Sequence, residues 1–153
     1  MRRGGAPPSV VRMPIDVPVT ARLDLVPVRD AMHAGVISCT ADTPLVEVAR
    51  RLAAEQVHCV VVSDVESTSA GQRLRWATID THDLVRALAA RDGGAVAGDV
   101  ATGPAITVAP GDSVADGLAK MVAADVSHLV VEERGFPIGV LSALDIARVA
   151  GGR

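Results

Sequence analysis

Apolar positions along the chain follow two periods, and both periods occur twice in the same order. Leu45, Val48, Ala49 and Leu52 recur at i, i+3, i+4 and i+7, opposite Glu47, Arg50, Arg51 and Glu55, which is the pattern of an amphipathic helix. Thr43 is a good N-cap and Pro44 suits the first helical position, so the helix is expected to start there. Apolar, largely β-branched runs at residues 36–39 and 57–62 flank it and read as strands, the second of them buried. A polar loop is expected over residues 63–73, then a returning strand over 76–79. A second helix should open at residues 80–83, carry Leu84, Val85 and Leu88, and stop at Gly93-Gly94.

The same order returns further along. Asp30 matches Asp99, Thr43-Pro44-Leu45 matches Asp112-Ser113-Val114, and Val60-Val61-Val62 matches Leu129-Val130-Val131, all at one offset. A strand is expected over residues 106–108, and then a helix capped by Asp112 or Ser113 with Val114, Leu118, Met121 and Val122 as its stripe. A strand over 129–131, a short hairpin loop over 132–137, a strand over 138–141 and a helix over 143–149 complete the copy. Each copy therefore reads β-α-β-β-α. The fold class is α/β of the α+β kind, with small mixed sheets and helices on one side. At about 60 residues, one copy alone buries only a modest share of its apolar surface, so the two are expected to pack with pseudo-twofold symmetry around a cleft. The organisation is residues 1–24 as an extended N-terminal arm, broken by Pro7, Pro8, Pro14 and Pro18, 25–94 as the first repeat and 95–153 as the second.

Composition narrows the classes of function. The 153 residues are 49% hydrophobic and 22% charged, with a net charge of -3, one Trp, one Phe and no Tyr. Clustered cations and stacking aromatics are lacking, which disfavours a nucleic-acid duplex as partner. No apolar run approaches the roughly 20 residues needed to cross a bilayer, and Arg2-Arg3 leads into Gly and Pro, so a cytoplasmic protein is expected. An Arg, Ala, Val and Gly bias with little Lys points to a GC-rich bacterial genome. Cys39 and Cys59 read as reduced core residues. A metal site from Cys39, Cys59, His58 and His128 is disfavoured because His58 and Cys59 point to opposite faces of a strand. The four histidines, His33, His58, His82 and His128, are scattered, and no nucleophile-base set or glycine-rich phosphate loop is present, so no catalysis is expected.

Asp30-Ala31-Met32, Val36-Ile37, Thr43-Pro44-Leu45-Val46-Glu47-Val48-Ala49, Val60-Val61-Val62 and above all Gly139-Val140-Leu141-Ser142-Ala143-Leu144-Asp145 resemble the cystathionine β-synthase (CBS) domain signature. Two copies, over about residues 28–150, resemble a Bateman module. The resemblance implies a non-catalytic regulatory module with no required cofactor. It binds AMP, ADP, ATP or S-adenosylmethionine between repeats, dimerises into a disc, and signals in trans to a protein partner not identifiable from the sequence. It implies a site in which Asp145 accepts from the ribose hydroxyls and Ser142 donates to a phosphate at a helix N-terminus, with Val36 and Val57 packing on the adenine and backbone groups near Gly35 on its edge. His58 is either a nucleotide-facing residue or a structural one. Arg86 and Arg148 either screen a phosphate or are solvated.

The opposite cleft keeps Asp83 but has Asp80 where Ser142 stands, and a carboxylate there repels phosphate. Its other residues would be Thr102, Ala105, Ile106, Val126 and Ser127, and it is expected to be empty, or a weaker site that takes a ligand without a phosphate there. The alternative is a structural, dimerising module whose clefts have degenerated and hold no ligand.

Overall fold

The computed structural model describes residues 17–91 and 94–152. The expected arm therefore lies outside the described residues up to position 16, and from Val19 it is not extended: helix α1 spans Val19–Leu25. Pro18 takes the cap position before it, the place where a missing N–H costs nothing. A short helix α2, Val28–Ala31, and a two-residue strand β1, His33–Ala34, follow. The first repeat continues with β2 Ser38–Thr40, α3 Leu45–Glu55, β3 Cys59–Thr68, β4 Gly71–Asp80 and α4 Thr81–Ala89. The second consists of α5 Ala97–Val100, β5 Thr107–Val108, α6 Val114–Ala124, β6 His128–Glu133, β7 Phe136–Ser142 and α7 Ala143–Ala150.

The strands form two small mixed sheets, in the orders β2-β3-β4 and β1-β7-β6-β5. In each, one pair is parallel, β2 with β3 and β5 with β6, with Ser38 opposite Val61 and Thr107 opposite Val130, while the hairpin is antiparallel. The second sheet contains a foreign member. β1 comes from the first repeat yet pairs with β7, His33 opposite Val140 and Ala34 opposite Gly139.

The hydrophobic clusters show the same exchange. Leu23 and Val28 pack with Val108, Val114, Met121, Leu129, Val131, Leu141 and Ile146, so helices α1 and α2, at the entry to the first repeat, close the core of the second. Ala95 and Ala97, at the entry to the second repeat, pack with Cys39, Leu45, Val48, Leu52, Val60, Val62 and Ile79. Val61 and Val130 point away from their neighbours and are fully buried as well. Both faces of each central strand are thus covered, which explains the continuous β-branched runs.

Several local expectations shift. Pro44, not Thr43, occupies the N-cap of α3 and makes no side-chain cap bond; the carbonyl of Ala95 accepts from Leu45 N–H instead. The first strand lies at 38–40 instead of 36–39. The expected polar loop over 63–73 is a regular ribbon, with Ser63 opposite Trp76 and Thr68 opposite Gly71. Arg75 donates to Glu66 across it. Helix α4 ends at Ala89, before Gly94; Gly93 lies outside the described residues. On α6, Ser113 is the cap, but Gly117 sits in the core while Val122 is 73% exposed. Gly117 faces inward because a Cβ there would come within 2.7 Å of Leu141, so the stripe rotates toward the residue that allows close approach. Val85 and Leu88 of α4 are likewise exposed.

If α1 belongs to the core of the second repeat, Leu23→Ala should cost about 2–5 kcal/mol. Urea unfolding should show the loss as a lower midpoint with an unchanged slope.

Candidate functional site

Gly35 lets the chain turn after β1. Its φ of 84° suits glycine, and its N–H donates to Ile138 O at 2.8 Å. The chain then crosses from the second sheet to the first, since Ile37 O accepts from Val61 N–H. That crossing segment walls a half-open cavity of about 540 Å³, bordered also by the end of α3, the starts of β3 and β6, and β7 up to Ser142. Val36, Val57, His58 and Ser142 all line it, as do His33, Glu55 and His128. Four of the five residues expected for the main site thus meet in one place.

The fifth is adjacent. Asp145 is 2% exposed and lines a neighbouring cavity of about 290 Å³ together with Asp30, Met32, His33 and Arg148. Its carboxylate is fully engaged. Oδ2 accepts from Ser142 N–H at 2.8 Å and from Ser142 Oγ at 2.7 Å, while Oδ1 accepts from Arg148 Nη1 at 2.9 Å and lies 3.3 Å from His33 Nδ1. Arg148 is therefore a partner of Asp145 and not a freely solvated side chain.

The N-terminal turn of α7 is engaged as well. Asp145 N–H donates to Ser142 Oγ at 3.2 Å and Ala143 N–H to Ser127 O at 2.9 Å. The expectation of free N–H groups waiting for a phosphate is corrected at residues 142, 143 and 145, whose N–H groups are all bonded. The cause is the capping box, in which the same Ser and Asp satisfy each other.

The opposite helix start has the same form with different chemistry. Asp80 Oδ1 accepts from Asp83 N–H at 2.8 Å, and Asp83 Oδ2 accepts from Asp80 N–H at 3.1 Å. Lacking a hydroxyl, Asp80 leaves Asp83 beside a second carboxylate. Burial pushes the Asp83 pKa up, the Asp80 N–H opposes this, and the Asp80 charge adds to the rise.

The remaining residues of the weaker site are held largely through backbone. Thr102 exchanges two 2.9 Å bonds with Thr78, Ala105 N–H donates to Trp76 O, Ile106 O accepts from Val130 N–H, and Val126 N–H donates to Met121 O. Ser127 Oγ lies 3.0 Å from His128 Nδ1. None of these residues lines the 540 Å³ cavity.

His33, Glu55 and His128 were not among the expected site residues. His128 is visible in the alignment of the copies as the counterpart of Cys59, and His33 follows Asp30-Ala31-Met32 directly. Burial lowers the His128 pKa, with His58 acting the same way and Asp80 and Asp145 opposing. Burial pushes the Cys59 thiol up to about 12, with Asp80 and Asp83 adding to it, and Cys39 is raised too, again chiefly by burial. Among the described residues, no three His, Cys, Asp or Glu side chains converge as a metal site would require, and no helix is long and apolar enough to cross a membrane.

The family model for the CBS domain matches residues 28–90 and 97–152; the chain belongs to the CBS domain family and carries two copies. No curated protein matches its sequence. Among solved structures, a CBS domain protein from Pyrobaculum aerophilum complexed with AMP is 28% identical, covering 78% of this chain and 89% of its own, at a TM-score of 0.66. The CBS domain pair of protein MJ0100, complexed with 5′-methylthioadenosine and S-adenosyl-L-methionine, is 21% identical, covering 81% and 98%, at 0.69. Hypoxic Response Protein I with two coordinated zinc ions is 23% identical, covering 80% and 98%, at 0.64.

Two measurements check the electrostatics. A raised native pKa means that Asp83 contributes stability at low pH, which is lost as pH rises through that value. Asp83→Asn, which mimics the protonated form, should therefore raise the melting temperature at neutral pH, with the gain fading toward pH ~4. With its thiol pushed up to about 12 and 6% exposed, Cys59 should resist iodoacetamide in the native state at mildly alkaline pH and react once the chain is unfolded.

Proposed function

We propose that this CBS pair is a regulatory module that binds an adenosine-containing ligand in the cavity between its repeats and passes the signal to a partner protein in trans, in the cytoplasm and without catalysing a reaction. The observation that carries the reading is the 540 Å³ cavity, large enough for a nucleoside. It is built from the crossing segment at Val36, the β3 entrance at Val57 and His58, and the Ser142 helix start. The AMP complex of the Pyrobaculum aerophilum protein and the methylthioadenosine and S-adenosylmethionine complexes of MJ0100 support it by likeness. Candidate ligands are AMP, ADP, ATP and S-adenosylmethionine, with Val36 and Val57 on the adenine. Asp145 reaches the ribose when His33 yields its place. The Asp83 cleft is the weaker site.

The same reading includes a homodimer. Val85 and Leu88 on α4, Leu118 and Val122 on α6, and Leu144 on α7 are exposed apolar residues that a second copy would cover. The alternative, a structural dimerising module with ligand-free clefts, draws on one observation: the engagement of Asp145, and of the Ser142, Ala143 and Asp145 N–H groups, by partners within the chain.

Thermal-shift and calorimetric screening with AMP, ATP, S-adenosylmethionine and 5′-methylthioadenosine separates the two. A true ligand at a hundredfold excess over its Kd should stabilise the chain by about 2.7 kcal/mol, and Val36→Asp should abolish the shift. Silence with all four compounds would leave the structural reading standing. In sedimentation, Leu88→Glu should convert a dimer to a folded monomer; an unchanged dimer would place the interface elsewhere.

A further inference from the structure

The cavity between the repeats has a charge inventory unlike that of a phosphate site. Among the described residues that line it, the titratable or ionic side chains are Glu55, His33, His58, His128 and the thiol of Cys59, and none is Lys or Arg. The nearest Arg of the helix start, Arg148, is bound to Asp145 and faces the neighbouring cavity. The α7 N-terminus, which would otherwise receive an anion, has spent the N–H groups of Ser142, Ala143 and Asp145 on Asp145 Oδ2, Ser127 O and Ser142 Oγ. The Ser142 hydroxyl hydrogen is committed to Asp145 as well.

We propose that this cavity selects adenosine ligands that carry no phosphate, uncharged or cationic, at neutral pH, and accepts phosphorylated ones only as its histidines gain protons. The proposal rests on the adenosine reading above and narrows it.

A phosphate held against this wall meets the Glu55 carboxylate and no Lys or Arg, so any compensating positive charge has to come from the histidines. These are His33, His58 and His128, which come from three different elements: β1, the turn before β3, and β6. Each faces other charges. His33 lies against Asp145, with Arg148 and Asp30 beside the same neighbouring cavity. His128 meets the hydroxyl of Ser127 and feels Asp80, Asp145 and His58. Burial lowers the pKa of His128, and Glu55 adds negative charge at the rim. Proton uptake and phosphate binding favour one another, so affinity for a nucleotide rises as pH falls, whereas affinity for an uncharged nucleoside does not depend on that protonation.

Calorimetry on the full chain with 5′-methylthioadenosine and AMP, at pH ~8 and pH ~6.5, tests this. The expected result is a preference for 5′-methylthioadenosine of about tenfold or more at the higher pH, narrowing at the lower one. Because AMP itself begins to take up a proton near pH ~6, the narrowing is compared with that in a His58→Gln, His128→Gln double variant, in which it should shrink. In His58→Lys, a change at an exposed position, the AMP to methylthioadenosine affinity ratio should rise at the higher pH. AMP binding as tightly as methylthioadenosine at pH ~8, or a ratio indifferent to both variants, would overturn the selectivity while leaving the adenosine reading intact. Failure of both compounds to bind at either pH would overturn the adenosine reading, and the selectivity with it.

Discussion

The pairing of β1 with β7 is the contact on which the remaining geometry depends. It places residues of the first repeat in the sheet of the second, so the chain must cross back through Gly35, Val36 and Ile37 to reach β2. The cavity wall is that crossing. Gly139 makes the pairing possible, because a Cβ there would stand 2.5 Å from the carbonyl oxygen of His33 and 2.9 Å from Met32 Sδ, and the backbone strands approach only where a side chain is missing. The signature glycine of the closing motif thus acts first as a packing residue. Through the packing, it creates the binding space.

The two helix starts show how a single substitution changes electrostatics without changing shape. Both α4 and α7 begin with a reciprocal box in which an acidic residue three positions on bonds back to the cap. Ser142 contributes a hydroxyl hydrogen, so Asp145 has a side-chain donor at its cap and another in Arg148, and it is almost completely buried. Asp80 offers only oxygens, so Asp83 gains one N–H bond and a neighbouring negative charge. Backbone geometry tolerates either pairing because N-caps accept Ser and Asp almost equally. The surrounding potential does not, and the molecule is therefore chemically asymmetric about an axis on which its fold is nearly symmetric.

The duplication, the order of strands and helices and the family were legible because each is written locally, in periods of two and of 3.6 and in caps such as Ser113 and Asp80. The exchange was not. Val19–Leu25 reads as part of a proline-broken arm until Leu23 is seen among Met121, Leu141 and Ile146, a contact between residues far apart in sequence. The long ribbon of β3 and β4 was hidden for another reason: its outer half carries Ser, Thr, Glu, Gln and Arg, and its regularity comes from cross-strand backbone bonds that composition does not report. At the site, Val36, Val57, His58 and Ser142 were readable from the repeat and the motif. The engagement of Asp145 was legible only in part: Ser142 and Arg148 stand three residues away on either side, whereas His33 arrives from another strand. His128 was missed because its counterpart is a buried cysteine.

The exchanged first segment also has a meaning for synthesis on the ribosome. Residues 19–34 leave the exit tunnel well before their partners, β7 and α7, have been made. The first repeat likewise waits for Ala95 and Ala97 before its own core closes. The first core needs only the start of the second repeat, whereas Leu23 and Val28 stay uncovered until Leu141 and Ile146 are free, and long-range closure of this kind is intrinsically slow. The two halves therefore close in order during synthesis, the second core sealing with a segment made before the first.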